Sequence, residues 1–161
     1  MNDHSVSPQA SDAVTPAVDS SLWVWGANAI RPRLLHSMLR VKNLDASIKF
    51  YCQGLGMHEI SRFESEQGRF TLLFLSYTDF ASGPAIELTY NWDQADDYSH
   101  GTGFGHLAVG VPDIQGMCDR LAAHGGTVTT APKKMLEGAP HLAFVKDPDG
   151  YSIELIQTFH G

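Results

Sequence analysis

The stretch His36-Ser-Met-Leu-Arg-Val recurs 70 residues later as His106-Leu-Ala-Val-Gly-Val. Self-similarity at a fixed offset is the signature of an internal repeat. Apolar positions continue to match at this offset in the segments that follow. The matched pairs are Val41 with Val111, Leu44 with Ile114, Ile48 with Cys118, and Tyr51 with Leu121. The chain therefore consists of two related halves.

Both halves have the same predicted order of secondary structure. Each opens with an apolar strand, and Asn43 or Asp113 is a favourable N-cap residue for the helix that follows. Segments rich in β-forming residues then predict later strands. These are Arg69–Tyr77 and Ala85–Tyr90 in the first half, and His141–Lys146 and Tyr151–Gln157 in the second. The pattern predicts an α+β fold of two tandem β-α-β-β-β modules, with a turn at Asp147-Pro-Asp-Gly.

The length of 161 residues suits one hydrophobic core better than two independent domains. Residues 1–32 are predicted to be a mobile N-terminal extension, because their first part is rich in Ser, Ala, Pro and Asp without a sustained period. Residues 33–161 are predicted to form a single domain. Its first module spans 33–95 and its second spans 103–158.

Charge and composition exclude several classes of partner. A net charge of −7 and no cluster of basic residues disfavour nucleic acid. The apolar stretch Leu22–Trp25 is too short for a signal peptide or a membrane span, so no membrane association is expected. Cys52 and Cys118 lie in helical patterns and are interpreted as small buried hydrophobic residues. This use of cysteine predicts a cytoplasmic protein.

The repeat also pairs four potential metal ligands. His36 matches His106 on the first strand of each half, and Glu87 matches Glu154 on the last strand, where the offset is 154 − 87 = 67 residues because of a difference in loop length. A single histidine or glutamate of this kind is usually an ordinary surface residue, but a carboxylate on an apolar strand needs a charged partner or a metal. Two imidazoles and two carboxylates suit a divalent cation with two further positions for water or substrate. A structural zinc site is disfavoured because closely spaced cysteines are missing from the sequence.

Six stretches carry a resemblance to a known family. They are Leu35-His-Ser-Met-Leu-Arg-Val, Ser47-Ile-Lys-Phe-Tyr, Leu55-Gly-Met, Ile86-Glu-Leu-Thr-Tyr-Asn-Trp, Gly105-His-Leu-Ala and Asp147-Pro-Asp-Gly-Tyr-Ser-Ile-Glu-Leu. Over residues 33–158 the chain closely resembles the glyoxalase I family, of the short bacterial type, in the vicinal-oxygen-chelate superfamily. The resemblance implies two modules that form a curved mixed sheet around a metal. It also implies a homodimer whose metal sites are shared across the subunit interface.

The resemblance assigns a reaction and roles to individual residues. The reaction is isomerisation of the hemithioacetal of methylglyoxal and glutathione to S-lactoylglutathione, with glutathione as co-substrate. Glu154 matches the family's main base and Glu87 its partner, and both are metal ligands together with His36 and His106. The residues implied in substrate binding are Arg40, Asn91 and Lys133, the last in a predicted loop. A histidine as first ligand, with a short segment between the halves, implies Ni²⁺ or Co²⁺, with Zn²⁺ as the alternative.

Other interpretations remain open at the level of sequence. Arg40 could be an ordinary surface arginine, Asn91 a residue that ends a strand, and Lys133 a solvated lysine. The same fold could serve a fosfomycin- or bleomycin-resistance type protein, a ring-cleaving dioxygenase or a non-catalytic binder, because a fold does not determine a function.

Overall fold

The computed structural model describes residues 32–158, which form two modules with the same order of elements. The first module contains β1 (His36–Val41), α1 (Leu44–Ile48), β2 (His58–Ser65), β3 (Phe70–Ser76) and β4 (Ala85–Asn91). A π-helical segment, Lys49–Gly54, continues α1. The second module contains β5 (Leu107–Val111), α2 (Ile114–Ala123), β6 (Thr127–Lys134), β7 (His141–Lys146) and β8 (Ser152–Gln157). The predicted α+β class and the β-α-β-β-β order are confirmed, whereas the predicted N-terminal extension lies almost entirely outside the described residues.

Local hydrogen bonds explain where the helices begin. The side chain of Asn43 accepts a hydrogen bond of 3.0 Å from the backbone N–H of Ala46. The side chain of Asp113 accepts one of 2.9 Å from Gly116. Each cap satisfies a donor in the first helical turn that has no partner within the helix, as the sequence predicted.

Two strands begin one residue later than predicted, and each shift has a local cause; β3 also ends one residue earlier and β4 one residue later than predicted. Arg69 was predicted to open β3, but its φ of 55° is left-handed and incompatible with a strand. Tyr151 was predicted to open β8, but its N–H donates to Asp147 Oδ1 at 2.7 Å and so belongs to the preceding turn. Both strands therefore begin one residue later than predicted.

Each module has its own four-stranded mixed sheet. The strand orders are β1-β4-β3-β2 and β5-β8-β7-β6, and the first and last strands of each module pair in parallel. One face of each sheet is buried: Leu39, Val41 and Leu88 are at most 2% exposed. The alternate residues of β1 and β4 lie on the other, open face, because side chains alternate along a strand. The curved sheet that was predicted is thus two separate sheets within the described part of the chain.

The two modules share one hydrophobic core. Phe50 and Tyr51 from the first module belong to the same buried cluster as Leu121 and Val145 from the second. The π-helical segment lies close to α2: a Cβ atom added to Gly54 would come within 2.9 Å of the Leu121 side chain. The modules therefore pack through their helices, and the open faces of the sheets are left for other contacts.

A buried carboxylate supports the β7–β8 turn. Asp147 is 4% exposed. Its Oδ2 accepts a hydrogen bond of 2.8 Å from the Tyr51 hydroxyl, and its Oδ1 accepts from the N–H groups of Asp149 and Tyr151. Burial raises the pKa of Asp147 to about 6, although these hydrogen bonds act in the opposite direction.

The free energy of unfolding should therefore fall as the pH rises from about 4 to about 6. Between these values folded Asp147 holds a proton that the unfolded chain has released, so the folded state is favoured at the acidic end. A pKa shift from 3.8 to about 6 corresponds to roughly 3 kcal/mol. Asp147→Asn should remove this dependence in urea titrations at several pH values. Asp119→Asn, at an exposed position of α2, is the control, and an unchanged pH dependence in Asp147→Asn would contradict the assignment.

Candidate metal centre

The His36–Glu87 pair, the first candidate half of the metal site, lies where β1 and β4 run side by side. His36 Nε2 is 3.0 Å from Glu87 Oε2, and the two side chains are 31% and 13% exposed. Phe74, on the neighbouring strand β3, packs edge-on against the imidazole with 5.7 Å between ring centroids. The pair is therefore partly sheltered but open to solvent on the open face of the sheet.

The second half-site repeats this geometry. His106 Nε2 is 3.1 Å from Glu154 Oε2, and Phe144 packs edge-on against the imidazole at 5.6 Å. Phe144 follows Phe74 by the same 70 residues that separate the histidines. Sequence reasoning missed these two aromatic residues, although the repeat offset could have found them. They support the imidazole rings from one side.

The four predicted ligands do not meet within one chain. In residues 32–158, no group of three or more His, Cys, Asp or Glu side chains is arranged to hold a metal ion. The structure brings His36 to Glu87 and His106 to Glu154, but it keeps the two pairs apart. The described part of the chain thus carries two separate His–Glu pairs, each a candidate half of a metal site.

Each pair has a spacing that suits two neighbouring ligands of one cation. Ligands at bond lengths near 2.1 Å lie about 3.0 Å apart at adjacent corners of an octahedron and about 3.4 Å apart in a tetrahedron. The observed distances of 3.0 and 3.1 Å are those of a hydrogen bond or ion pair, and they are also short enough for the two atoms of each pair to bind one cation. One imidazole nitrogen and one carboxylate oxygen from each pair suit Ni²⁺, Co²⁺ or Zn²⁺. The residues present therefore fit a divalent cation.

Two of the predicted substrate-binding residues lie near the first half-site. Arg40 shares the open face of β1 with His36, and its backbone oxygen accepts a hydrogen bond of 3.0 Å from the Tyr151 hydroxyl. Asn91, at the end of β4, donates from Nδ2 to the Tyr98 hydroxyl at 2.9 Å. Arg40 and Asn91 therefore lie on the two strands that carry the His36–Glu87 pair, each four residues further along its strand.

Lys133 occupies a different place from the one predicted. It was predicted to lie in a loop, but it is exposed near the end of β6 and pairs in register with Leu142 of β7. The strand tolerates Pro132 because the pairing shifts register between Thr130 and Lys133. Because β6 is the outer strand and β7 separates it from β8, Lys133 is not brought to the Glu154 half-site.

One further polar contact of the site was missed at the level of sequence. Thr89 Oγ1 donates a hydrogen bond of 2.9 Å to Glu87 Oε1, the carboxylate oxygen that does not face His36. Thr89 is two residues from Glu87 and so shares its side of β4. The sequence alone suggests only a β-forming residue at this position.

A cleft of about 730 Å³ lies elsewhere, at the junction of the two modules. Its lining includes Lys42, Asp97, His100 and Asp149, and none of the seven predicted site residues. Lys42 bridges the junction, since its backbone N–H donates to Asp149 and its ammonium pairs with Asp97. The predicted site residues therefore lie outside this cleft.

Comparison with known protein families identifies one superfamily that matches most of the chain. The model of the Glyoxalase/Bleomycin resistance protein/Dioxygenase superfamily matches residues 33–155. The chain belongs to this superfamily. The resemblance found in the sequence is thereby confirmed. Between residues 32 and 158, no helix is both long enough and apolar enough to cross a membrane.

Individual relatives narrow the comparison within the superfamily. A protein of Vibrio cholerae named "Probable lactoylglutathione lyase" is 53% identical over 126 residues, which are 78% of this chain and 91% of that protein. Glyoxalase I from Zea mays is 37% identical with a TM-score of 0.74; the match covers 80% of this chain but only 45% of the maize protein. The trypanothione-dependent glyoxalase I of Leishmania major is 38% identical with a TM-score of 0.68, and the match covers 79% and 87% of the two chains.

Proposed function

We propose that this chain is a glyoxalase I, or lactoylglutathione lyase, which isomerises the hemithioacetal of methylglyoxal and glutathione to S-lactoylglutathione. The observation that carries the proposal is the pair of repeat-related His–Glu contacts, at 3.0 and 3.1 Å, on the open faces of the two sheets. The 53% identity to a relative named for this activity supports it. A drug-resistance protein or a passive binder does not require both pairs, so these alternatives are less well supported.

The active form in this proposal is a homodimer with two shared sites. His36 and Glu87 of one subunit join His106 and Glu154 of the partner subunit at each metal centre. The separation of the two pairs within the described part of one chain supports this arrangement. So does the exposed side chain of Met38, an apolar residue on the open face of β1 that is 46% exposed in the single chain.

The side chains on the two open faces also differ in size, and the difference is complementary. Met38 and Arg40 on β1 correspond, through the repeat, to Ala108 and Gly110 on β5. Large side chains on one face and small ones on the other favour close packing of one module against the partner's other module. They also leave space for a substrate beside Arg40.

The proposed cofactor is Ni²⁺ or Co²⁺, with Zn²⁺ as the alternative. The two nitrogen and two oxygen donors support a divalent ion of intermediate softness that accepts further ligands from water or substrate. When bound, such a cation supplies positive charge that stabilises the negative charge developing on two adjacent substrate oxygens.

The protein side chains then have separate tasks. Glu154 removes the proton from the hemithioacetal carbon and returns it to the adjacent carbon, so that the substrate is isomerised without net loss of a proton. Both histidines and Glu87 remain as fixed ligands. The Arg40 guanidinium binds a glutathione carboxylate and the Asn91 amide orients a neighbouring polar group. Lys133 is proposed as an outer contact only, because β7 lies between its strand and β8.

A cytoplasmic location completes the proposal. Cys52 and Cys118 are free, and Cys118 is buried within α2. Burial is also the main reason that the pKa values of both thiols are raised. Unreactive free thiols are expected in a reducing compartment, where the low-molecular-weight thiol co-substrate would also remain reduced.

Reconstitution of the metal-free protein tests the proposal. Removal of the metal should abolish isomerisation of the hemithioacetal, and Ni²⁺ or Co²⁺ should restore it better than Zn²⁺ does. Turnover would be followed by the ultraviolet absorbance of the thioester product. His106→Ala, treated in the same way, should stay inactive with every metal. If no divalent cation gave turnover with wild type, the proposed function would be wrong.

A further inference from the structure

The two half-sites differ at one position beside the carboxylate. In the first, the Thr89 hydroxyl donates to Glu87 Oε1 at 2.9 Å, while Glu87 Oε2 faces His36. In the second, the residue two positions after Glu154 is Ile156, which has no side-chain donor. The histidine, the phenylalanine and the glutamate are repeated, but the hydroxyl is not.

We infer that Thr89 is a positioning residue that holds Glu87 as the stationary metal ligand and so leaves Glu154 as the carboxylate that is free to move the proton. The inference rests on the proposed function, because it explains how two repeat-related glutamates take different roles. It assigns to Thr89 no direct contact with the substrate.

The geometry distinguishes the two oxygens of Glu87. Oε2 lies on the side of His36, where a shared cation would be bound, and Oε1 is held by the hydroxyl. A carboxylate that acts as a base must turn an oxygen towards the substrate carbon. Glu87 would first have to break a charge-assisted hydrogen bond, which is stronger than one between neutral groups.

Thr89 is itself held in place by the sheet. In register, it lies between Arg40 of β1 and Leu72 of β3. Its β-branched side chain has few accessible rotamers, so the hydroxyl has little freedom to turn away from Glu87. The donor is therefore fixed before any ligand binds.

Glu154 has a different environment. Ile156 takes the position that Thr89 has in the first module. Its neighbours on the adjacent strands, Gly110 and Leu142, have no side-chain hydrogen-bond donor either. Within residues 32–158 the polar contact of its carboxylate is with His106 alone. One Glu154 oxygen is thus left free to reorient once a substrate approaches.

Metal affinity tests the inference without reference to catalysis. Residues that orient a metal ligand typically contribute about 10- to 100-fold to affinity, so Thr89→Val should weaken Ni²⁺ binding by at least about tenfold. The measurement is competition of the metal-free protein with a chromophoric chelator. Thr89→Ser, which keeps the hydroxyl, should bind as wild type does, and Ile156→Val is the matched control without an expected effect. Wild-type affinity in Thr89→Val would overturn the inference.

A second pair of variants covers the case in which valine disturbs the strand. Thr89→Ser and Thr89→Ala have nearly the same size and differ by the oxygen atom. The inference requires Thr89→Ala to bind Ni²⁺ at least about tenfold more weakly than Thr89→Ser. Equal affinities would overturn it.

Exchange of the hydroxyl between the halves tests the division of roles. In the wild-type background, Glu154→Gln should lose far more kcat than Glu87→Gln. The same two glutamate substitutions are then made in the double variant Thr89→Val with Ile156→Thr. There the loss of kcat in Glu154→Gln divided by the loss in Glu87→Gln should be at least about tenfold smaller than in the wild-type background. An unchanged ratio would contradict the role of the hydroxyl.

Failure of the proposed function would look different. Wild-type protein loaded with metal would then show no isomerisation of the hemithioacetal at all. The chelator competition would still report whether Thr89 supports metal binding through Glu87.

Discussion

Turnover is expected to fall by about 1,000-fold when Glu154 is replaced by Gln, because general acid–base catalysis by one side chain typically contributes 10²- to 10⁴-fold. Glutamine keeps the length of the side chain but cannot accept the substrate proton. Metal content should fall only in part, since His36, Glu87 and His106 remain. The two measurements are kcat with the hemithioacetal and metal content per subunit.

The specificity of this result depends on a matched control. Glu137→Gln makes the same chemical change at an exposed glutamate, outside the strands that carry the half-sites. It should leave kcat and metal content unchanged. If Glu154→Gln retained more than about a tenth of wild-type kcat, Glu154 would not be the base.

Two inactive chains are expected to restore activity when they form a mixed dimer. His36→Ala damages only the first half-site of its chain, and Glu154→Gln damages only the second. In a shared-site dimer, one of the two sites in a mixed dimer combines two intact halves. Random pairing makes half of the dimers mixed, so co-expression should give about a quarter of wild-type activity, whereas each variant alone is nearly inactive.

The outcome separates shared sites from sites within one chain. If each site were built within one chain, every site in a mixed dimer would contain a damaged residue, and mixing would give no recovery. As a control, His36→Ala co-expressed with Glu87→Ala should show no more activity than the two variants alone, because both changes remove a proposed ligand from the same half-site. Recovery in this control pair would argue against the proposed arrangement.

The sequence could predict the repeated elements because their causes are local. Asn43 and Asp113 start helices through hydrogen bonds to residues three positions later. The strands were predicted from their β-forming residues. Errors occurred where the local backbone is not extended, as at Arg69 with its left-handed φ. The segment Lys49–Gly54 was predicted only as part of the helix that follows β1, and its π-helical geometry was not predicted.

The sequence predicted the candidate site residues only as equivalent positions in the two repeats. The repeat matched His36 with His106, but equivalence does not state which residues meet in space. Their separation into two pairs depends on how the modules pack through their helices, which is a tertiary contact. Thr89 escaped notice for a similar reason: a threonine in a strand is common, and its hydrogen bond to Glu87 appears only when the side chains are placed.

The core that joins the modules has a consequence for how the sites of the proposed dimer respond to one another. Each chain would contribute to both centres, and Phe50, Tyr51, Leu121 and Val145 tie its two contributions into one packed unit. Loading of one centre would restrict the first module of one subunit and the second module of the other. Through the two cores, that restriction would extend to the halves of the second centre, so the second ion would meet ligands that are already ordered. Cooperative loading would then arise from packing alone, without a change in the fold.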